Sequence, residues 1–278
     1  MTDADGTAKQ PLLGDCASAF LLLSRIPVTW HSFPDDRPPD FISSLWAFPL
    51  VGLVIGGGGG LVMLAGQILA LPPVITAIGG FAVMVMMSGA MHEDGLADMA
   101  DGFGGGRDSE SKVRIMHDSR IGSYGVLALI LAVAMRIGLY ISILAAFKGL
   151  VLVTFMAVIQ ATARFQPVLQ LSAFRISPHA SLAQLTGRPG TTRLAVSALL
   201  CLVPLAWLLG PVAAAVITFP GLAVSVYIGR LATRHVEGLT GDVMGATIIL
   251  AEIIMLVSWT AIAGTIIAGT PIPWAPAP

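Results

Sequence analysis

The chain has 278 residues, of which 55% are hydrophobic and only 11% charged, and its net charge is −1. An average soluble domain is about 25% charged, so a mean hydropathy of +0.85 leaves too few polar groups to cover a water-facing exterior. An ordinary soluble enzyme, a disordered chain and a nucleic-acid binder with a basic face are all excluded, which leaves an all-α polytopic membrane protein.

In chain order, residues 1–10 (MTDADGTAKQ) read as a flexible polar tail without the basic start of a signal peptide. Residues 12–23 are apolar but too short to cross a bilayer, and Arg25 and Pro27 end the run. They predict an interfacial or re-entrant helix. A Pro- and Asp-rich loop follows from His31 to Asp40. About seven spans come next, near residues 43–70, 73–91, 122–146, 149–172, 194–209, 211–230 and 243–269. Pro72-Pro73 and Gly210-Pro211 mark two of the boundaries, since a proline cannot extend the helix before it. The fifth span is short, and the fifth and sixth together could be one broken pair. Gly56–Gly60 lies within the first span and predicts a close helix-packing surface. Cys16 and Cys201 are distant in sequence and read as small buried hydrophobes rather than a disulfide.

Twelve of the fifteen lysines and arginines fall in the N-terminal segment and in the regions 92–121, 173–193 and 230–242. Lys148 alone marks the opposite side, and Arg136 and Arg164 lie within spans. The positive-inside rule then predicts a cytoplasmic N-terminus, an outward C-terminus and a cytoplasmic loop region at 92–121. Residues 1–278 are thus expected to form one integral domain of the inner membrane, with the lipid bilayer as its surroundings. The oligomeric state stays open, a homo-oligomer included.

The acids are as uneven. Six precede residue 41, seven lie between Glu93 and Asp118, none occurs from 119 to 236, and Glu237, Asp242 and Glu252 are the last three. A membrane protein that places its few carboxylates in two patches on one side is building one site from them. The main patch reads HEDGLADMADGFGGGRD, residues 92–108. Asp94, Asp98 and Asp101 recur at i, i+4 and i+7, and at about 100° per residue they share roughly 60° of one helix face. Carboxylates so close repel unless a cation sits among them, and Mg²⁺ takes one or two carboxylates together with substrate phosphates. These three are the expected metal ligands. Glu93 points elsewhere and reads as a surface acid, and His92 is a candidate substrate contact. The glycine turn around Gly104 and Gly105 ends the helix and offers backbone N–H groups to a phosphate, though no Lys-Ser/Thr pair follows to make it a Walker loop.

In KVRIMHDSRIGSYG, residues 112–125, Asp118 could add an oxygen ligand or activate a nucleophile, and Arg120 could clamp a phosphate through its planar fork. In EGLTGDVMGATIILAE, residues 237–252, Asp242 at a helix start has the same candidate roles as Asp118. Glu252 and Arg164 lie inside spans, where a charge faces a site or a partner. Both are read as substrate contacts, with a structural Arg164–Glu252 pair as the competing reading. Together these residues fit metal-assisted attack of an alcohol on a membrane-docked diphosphate.

The same motifs resemble the cobalamin synthase family, the adenosylcobinamide-GDP ribazoletransferases. The resemblance rests on FLLLSRIPV (20–28), WAFPLVGLVIGG (46–57), HEDGLADMADGFGGG (92–106), IMHDSRIGSYG (115–125) and GLTGDVMGA (238–246), in family order over nearly the whole chain. It implies joining of adenosylcobinamide-GDP to α-ribazole or its 5′-phosphate, release of GMP, and dependence on Mg²⁺ in a multi-pass inner-membrane enzyme. Two positions depart from the pattern. Glu93 stands where the family often has an apolar residue, and His117 where a Lys or Arg is usual. Two other classes stay open. A CDP-alcohol phosphotransferase or prenyltransferase would also use aspartate clusters, but Asp94-Gly95-Leu96-Ala97-Asp98 lacks the arginine of the first and the spacing of the second. A transporter would show internal repeat symmetry, which this sequence lacks.

Overall fold

The computed structural model describes residues 12–28, 39–180 and 186–267. The tail at 1–10, most of the Pro- and Asp-rich loop and the C-terminal end therefore lie outside the described residues. What is described is helical: α1 (Leu12–Leu23), α2 (Phe41–Ser44), a 3-10 turn (Leu45–Ala47), α3 (Phe48–Ile68), α4 (Pro73–Ser88), α5 (Met91–Gly105), α6 (Ser109–Met116), α7 (Ser123–Ala146), α8 (Gly149–Ala173), α9 (Thr191–Leu209), α10 (Pro211–Val236) and α11 (Gly241–Ile267). Six stretches are long and apolar enough to cross a membrane alone: Phe41–Ile68, α7, α8, α9, α10 and Gly241–Ala263. The fifth and sixth predicted spans are two separate helices, parted at Gly210, whose φ of +82° suits glycine.

The second predicted span, 73–91, takes a different form. Its helix is only 16 residues long and ends in two successive left-handed residues, Gly89 and Ala90, beyond which α5 departs at 86°. The amide of Ala90 bonds back to the carbonyl of Val85, a glycine-type helix stop. A side chain at position 89 would strike Arg25, which lies across the turn. We read α4, this turn and the first turn of α5 as the seventh crossing. Segment 92–121 is not a loop region: it forms α5 and α6, and the first of these is inserted into the bundle against α7 and α11.

Packing follows from small residues. Gly52, Gly56 and Gly60 meet the backbone of α8 so closely that a side chain at any of them would collide with it, while Gly59 does the same for α4. The expected packing role of the glycine run is what the helices display. α8, pressed against α3, is the most buried span. Turns join the bundle at two ends. At one, Gln67 donates to the carbonyls of Leu144 (3.1 Å) and Phe147 (2.9 Å). At the other, residues 175–177 are clipped to Leu239 by two backbone bonds of 2.9 Å, and Arg193 donates to Ser43. This second end carries α5, α6 and the start of α11. Helix α1, expected as an interfacial or re-entrant piece, is too short to span; it is tied to the bundle by the indole of Trp46, which donates to Asp15 at 2.9 Å.

Candidate active site

The acidic helix α5 is held in place at both ends. At its start, Glu93 accepts from Nη1 of Arg136 at 2.7 Å, and Nη2 of the same arginine lies 3.1 Å from Glu252. Tyr140 donates to the other oxygen of Glu252, and the Arg136 guanidinium stacks on Phe81. Near its end, Asp101 accepts from the amides of Gly122 (2.7 Å) and Gly125 (2.9 Å), which begin α7. Between these anchors α5 crosses α11 by contact at two glycines. Gly95 abuts the backbone of Asp242, and Gly245 abuts that of His92. The crossing is what brings Asp242 to the acids of α5.

Several expectations are corrected by this geometry. Glu93 is not a surface acid, because it neutralises a buried arginine. Glu252, 1% exposed, lines none of the cavities described below and is paired with Arg136, not with Arg164. Arg164 is equally buried and donates to the Gln160 side chain at 2.5 Å, so it is not placed to touch a substrate. Asp101 caps α7 with both of its oxygens, which sets it apart from Asp94 and Asp98. Gly104 and Gly105 are helical, and their amides serve the helix's own bonds. They offer no phosphate cradle. Gly102 and Gly104 instead let Met116 and Tyr124 pack close. Arg120 is turned to Asp118, to which it donates through Nε (3.2 Å) and Nη2 (2.9 Å). That pairing holds the exposed Asp118 carboxyl below its usual range.

What remains together is Asp94, Asp98 and Asp242. Asp98, beyond the seventh crossing, has its carboxyl pushed up to about 7, first by burial and then by the charges of Asp94, Asp242 and Asp101. Asp94 lines three adjoining cavities. One, of about 130 Å³, runs between α5, α8 and α11 and includes His92 and Asp242. A second, of about 580 Å³, is walled by the end of α1, Arg25 and the Gly89 turn. The third, of about 570 Å³, contains Asp98, His117 and Asp118. Among the described residues lining the three, Arg25 is the one lysine or arginine. Sequence reasoning missed it as a site residue, because it read only as the charge ending a short apolar run. Its place in the Ser24–Pro27 motif was the available signal. Among the described residues, no three His, Cys, Asp or Glu side chains by themselves form a metal cage. The donor set still suits Mg²⁺, which needs only one or two carboxylates and fills its shell with water and phosphate oxygens.

A family model described as cobalamin-5-phosphate synthase matches residues 15–260. The chain belongs to the cobalamin-5-phosphate synthase family. The elements that build the acidic junction, from all but the first residues of α1 to the first half of α11, fall within the matched residues. Relatives named adenosylcobinamide-GDP ribazoletransferase include those of Azorhizobium caulinodans (34% identical, covering 88% of this chain and 95% of the relative), Rhizobium meliloti (38%, covering 88% and 95%) and Bradyrhizobium diazoefficiens (38%, covering 76% and 80%). No solved structure matches the chain. The six long spans and the bent seventh agree with the multi-pass helical bundle expected from the sequence.

Proposed function

We propose that this transferase joins adenosylcobinamide-GDP to α-ribazole at the Asp94 junction and releases GMP. The observation that carries this reading is the convergence of three cavities on one carboxylate, with Asp98 and Asp242 beside it. Two bulky substrates must meet at one reacting phosphorus, and a junction of separate cavities allows each its own approach. The ribazole hydroxyl attacks the phosphorus that bears the corrinoid aminopropanol. A new P–O bond forms, the bond from that phosphorus to the bridging oxygen breaks, and GMP leaves with the electron pair. Asp98 is the group we assign to accept the hydroxyl proton, because it is the carboxylate beside Asp94 and Asp242 that is not given to the metal, and it lines the third cavity. Arg25 is the cation positioned to meet the diphosphate.

Asp94 and Asp242 are the residues that would hold Mg²⁺. When bound, it supplies positive charge to offset that of the diphosphate. The positive-inside count supports a cytoplasmic junction and an inner-membrane location for the bundle, with the chain acting as a single integral domain. A nucleotide-activated substrate is available on that side. The test is GMP release by the purified protein given both substrates and Mg²⁺. Release that depends on both substrates and on the metal is expected. Release of GMP without transfer to ribazole, or no release from folded protein, would overturn the reading.

A further inference from the structure

We propose that the smallest of the three cavities holds the flat aromatic base of the ribazole, with Nε2 of His92 as its polar contact. The proposal rests on the transferase reading above and assigns one substrate part to one place. The cavity is walled by Leu23 from α1, Phe48 from α3, Pro167 and Leu171 from α8, and Met244 and Ile248 from α11. Apart from Thr186 and the edge formed by His92, Asp94 and Asp242, its described walls are apolar, and among the described residues they carry no lysine or arginine. Away from the Asp94–Asp242 edge, where the metal would sit, a phosphate or a free nucleotide end has nothing to bind, whereas a neutral planar ring system replaces water against such walls at a gain.

The second observation is independent of shape. His92 is 4% exposed, and its Nε2 has no hydrogen-bond partner among the described residues. A buried polar atom left unpaired is costly and asks for a partner. With its proton on Nε2, His92 would take the ring nitrogen of a heteroaromatic base, an acceptor, as the partner from the adjoining slot. Position supplies a third argument. Asp94 and Asp242 border the same cavity. A base seated in it places the attached ribose at the carboxylates, where its hydroxyl must be to react. The two larger cavities, one of them with Arg25, remain for the corrinoid nucleotide.

Equilibrium binding of radiolabelled α-ribazole and of adenosylcobinamide-GDP to the purified protein tests this, alongside KM for each substrate in GMP release. Leu171→Phe fills the slot and His92→Leu removes the donor. Each should weaken α-ribazole binding by about tenfold or more, the scale of one lost buried contact. Both should leave corrinoid-nucleotide binding within about twofold. His92→Gln, which keeps a donor, should recover part of the loss. A riboside with a single imidazole ring should bind wild type more weakly than α-ribazole and be indifferent to Leu171→Phe. Unchanged α-ribazole binding in both variants overturns the base slot, as does selective loss of the corrinoid nucleotide, while GMP release by wild type keeps the transferase reading intact. If Leu171→Phe does not fold, His92→Leu and the riboside comparison on wild type decide, and a wild type indifferent to ring size also overturns it. Wild type that binds neither substrate and releases no GMP removes both readings.

Discussion

Asp94 and Asp101 lie on one stripe of α5 yet have different tasks, and substitution separates them. Asp94→Asn keeps shape and removes a charge at the junction of the three cavities. It is expected to lower GMP release by about 10²–10³, the usual cost of losing one transition-state electrostatic contact, with unchanged thermal stability. Asp101→Ala should do the reverse. It removes the cap of α7, worth about 1 kcal/mol, so the melting temperature falls more than the rate at saturating substrate. Equal loss of rate in both with no loss of stability in either would show that Asp101 belongs to the reacting group. Asp98 gives a pH signature. As a base it must be deprotonated, so kcat/KM should rise with pH through about 7 when Mg²⁺ is limiting. Saturating Mg²⁺ offsets the charges of Asp94 and Asp242 that hold this value up, so the limb should move to lower pH. A limb that ignores Mg²⁺ would contradict the shared site. The i, i+4, i+7 spacing made the acidic stripe legible in the sequence, but not its division of labour. Seven helical residues cover about 10 Å along the axis, so residues on one stripe reach different neighbours, and only the crossing with α11 adds Asp242.

At the scale of the element, α5 stays inserted because its buried charges balance. Glu93 and Glu252 face Arg136, and Arg164 lies near enough to feel both acids. Removing one member leaves an uncompensated buried charge at about 3–5 kcal/mol. Glu252→Gln and Arg136→Gln should each lower stability strongly, and the double variant should be less damaged than the sum of the two. Glu252→Gln with Arg164→Gln should be closer to additive. Strong coupling to Arg164 instead would mean that the arginines have exchanged roles. The spans themselves were legible because about 20 apolar residues in a row have few alternatives. The insertion of α5 was not. Its polarity reads like that of a loop at the membrane surface, and the partner that buries Glu93 lies 43 residues further on, in another span. The 86° bend was equally hidden, since Gly89 marks a helix stop but not the direction taken after it.

The whole molecule is organised by ends. Turns with most of the positive charge lie together with α5, α6 and the start of α11, and the Gln67–Phe147 contacts mark the opposite face. Reporter fusions after Gly105 should therefore read cytoplasmic and fusions after Phe147 should read as translocated. The same reading at both positions would require that α7 does not cross, and exchanged readings would require that α4, with its bent continuation, does not complete a crossing. The balanced charges in the bundle's interior also impose an order in time. During synthesis the acid of Glu93 enters first, Arg136 follows to neutralise it, Arg164 adds an unmatched positive charge, and Glu252 arrives only with the last helix. Until then the nascent chain holds a surplus cation in a forming bundle, and neither Asp242 nor the crossing glycine Gly245 has yet been made. Chains released just before α11 should accordingly remain protease-sensitive within α5, and resistance should appear in a single step when the final helix joins.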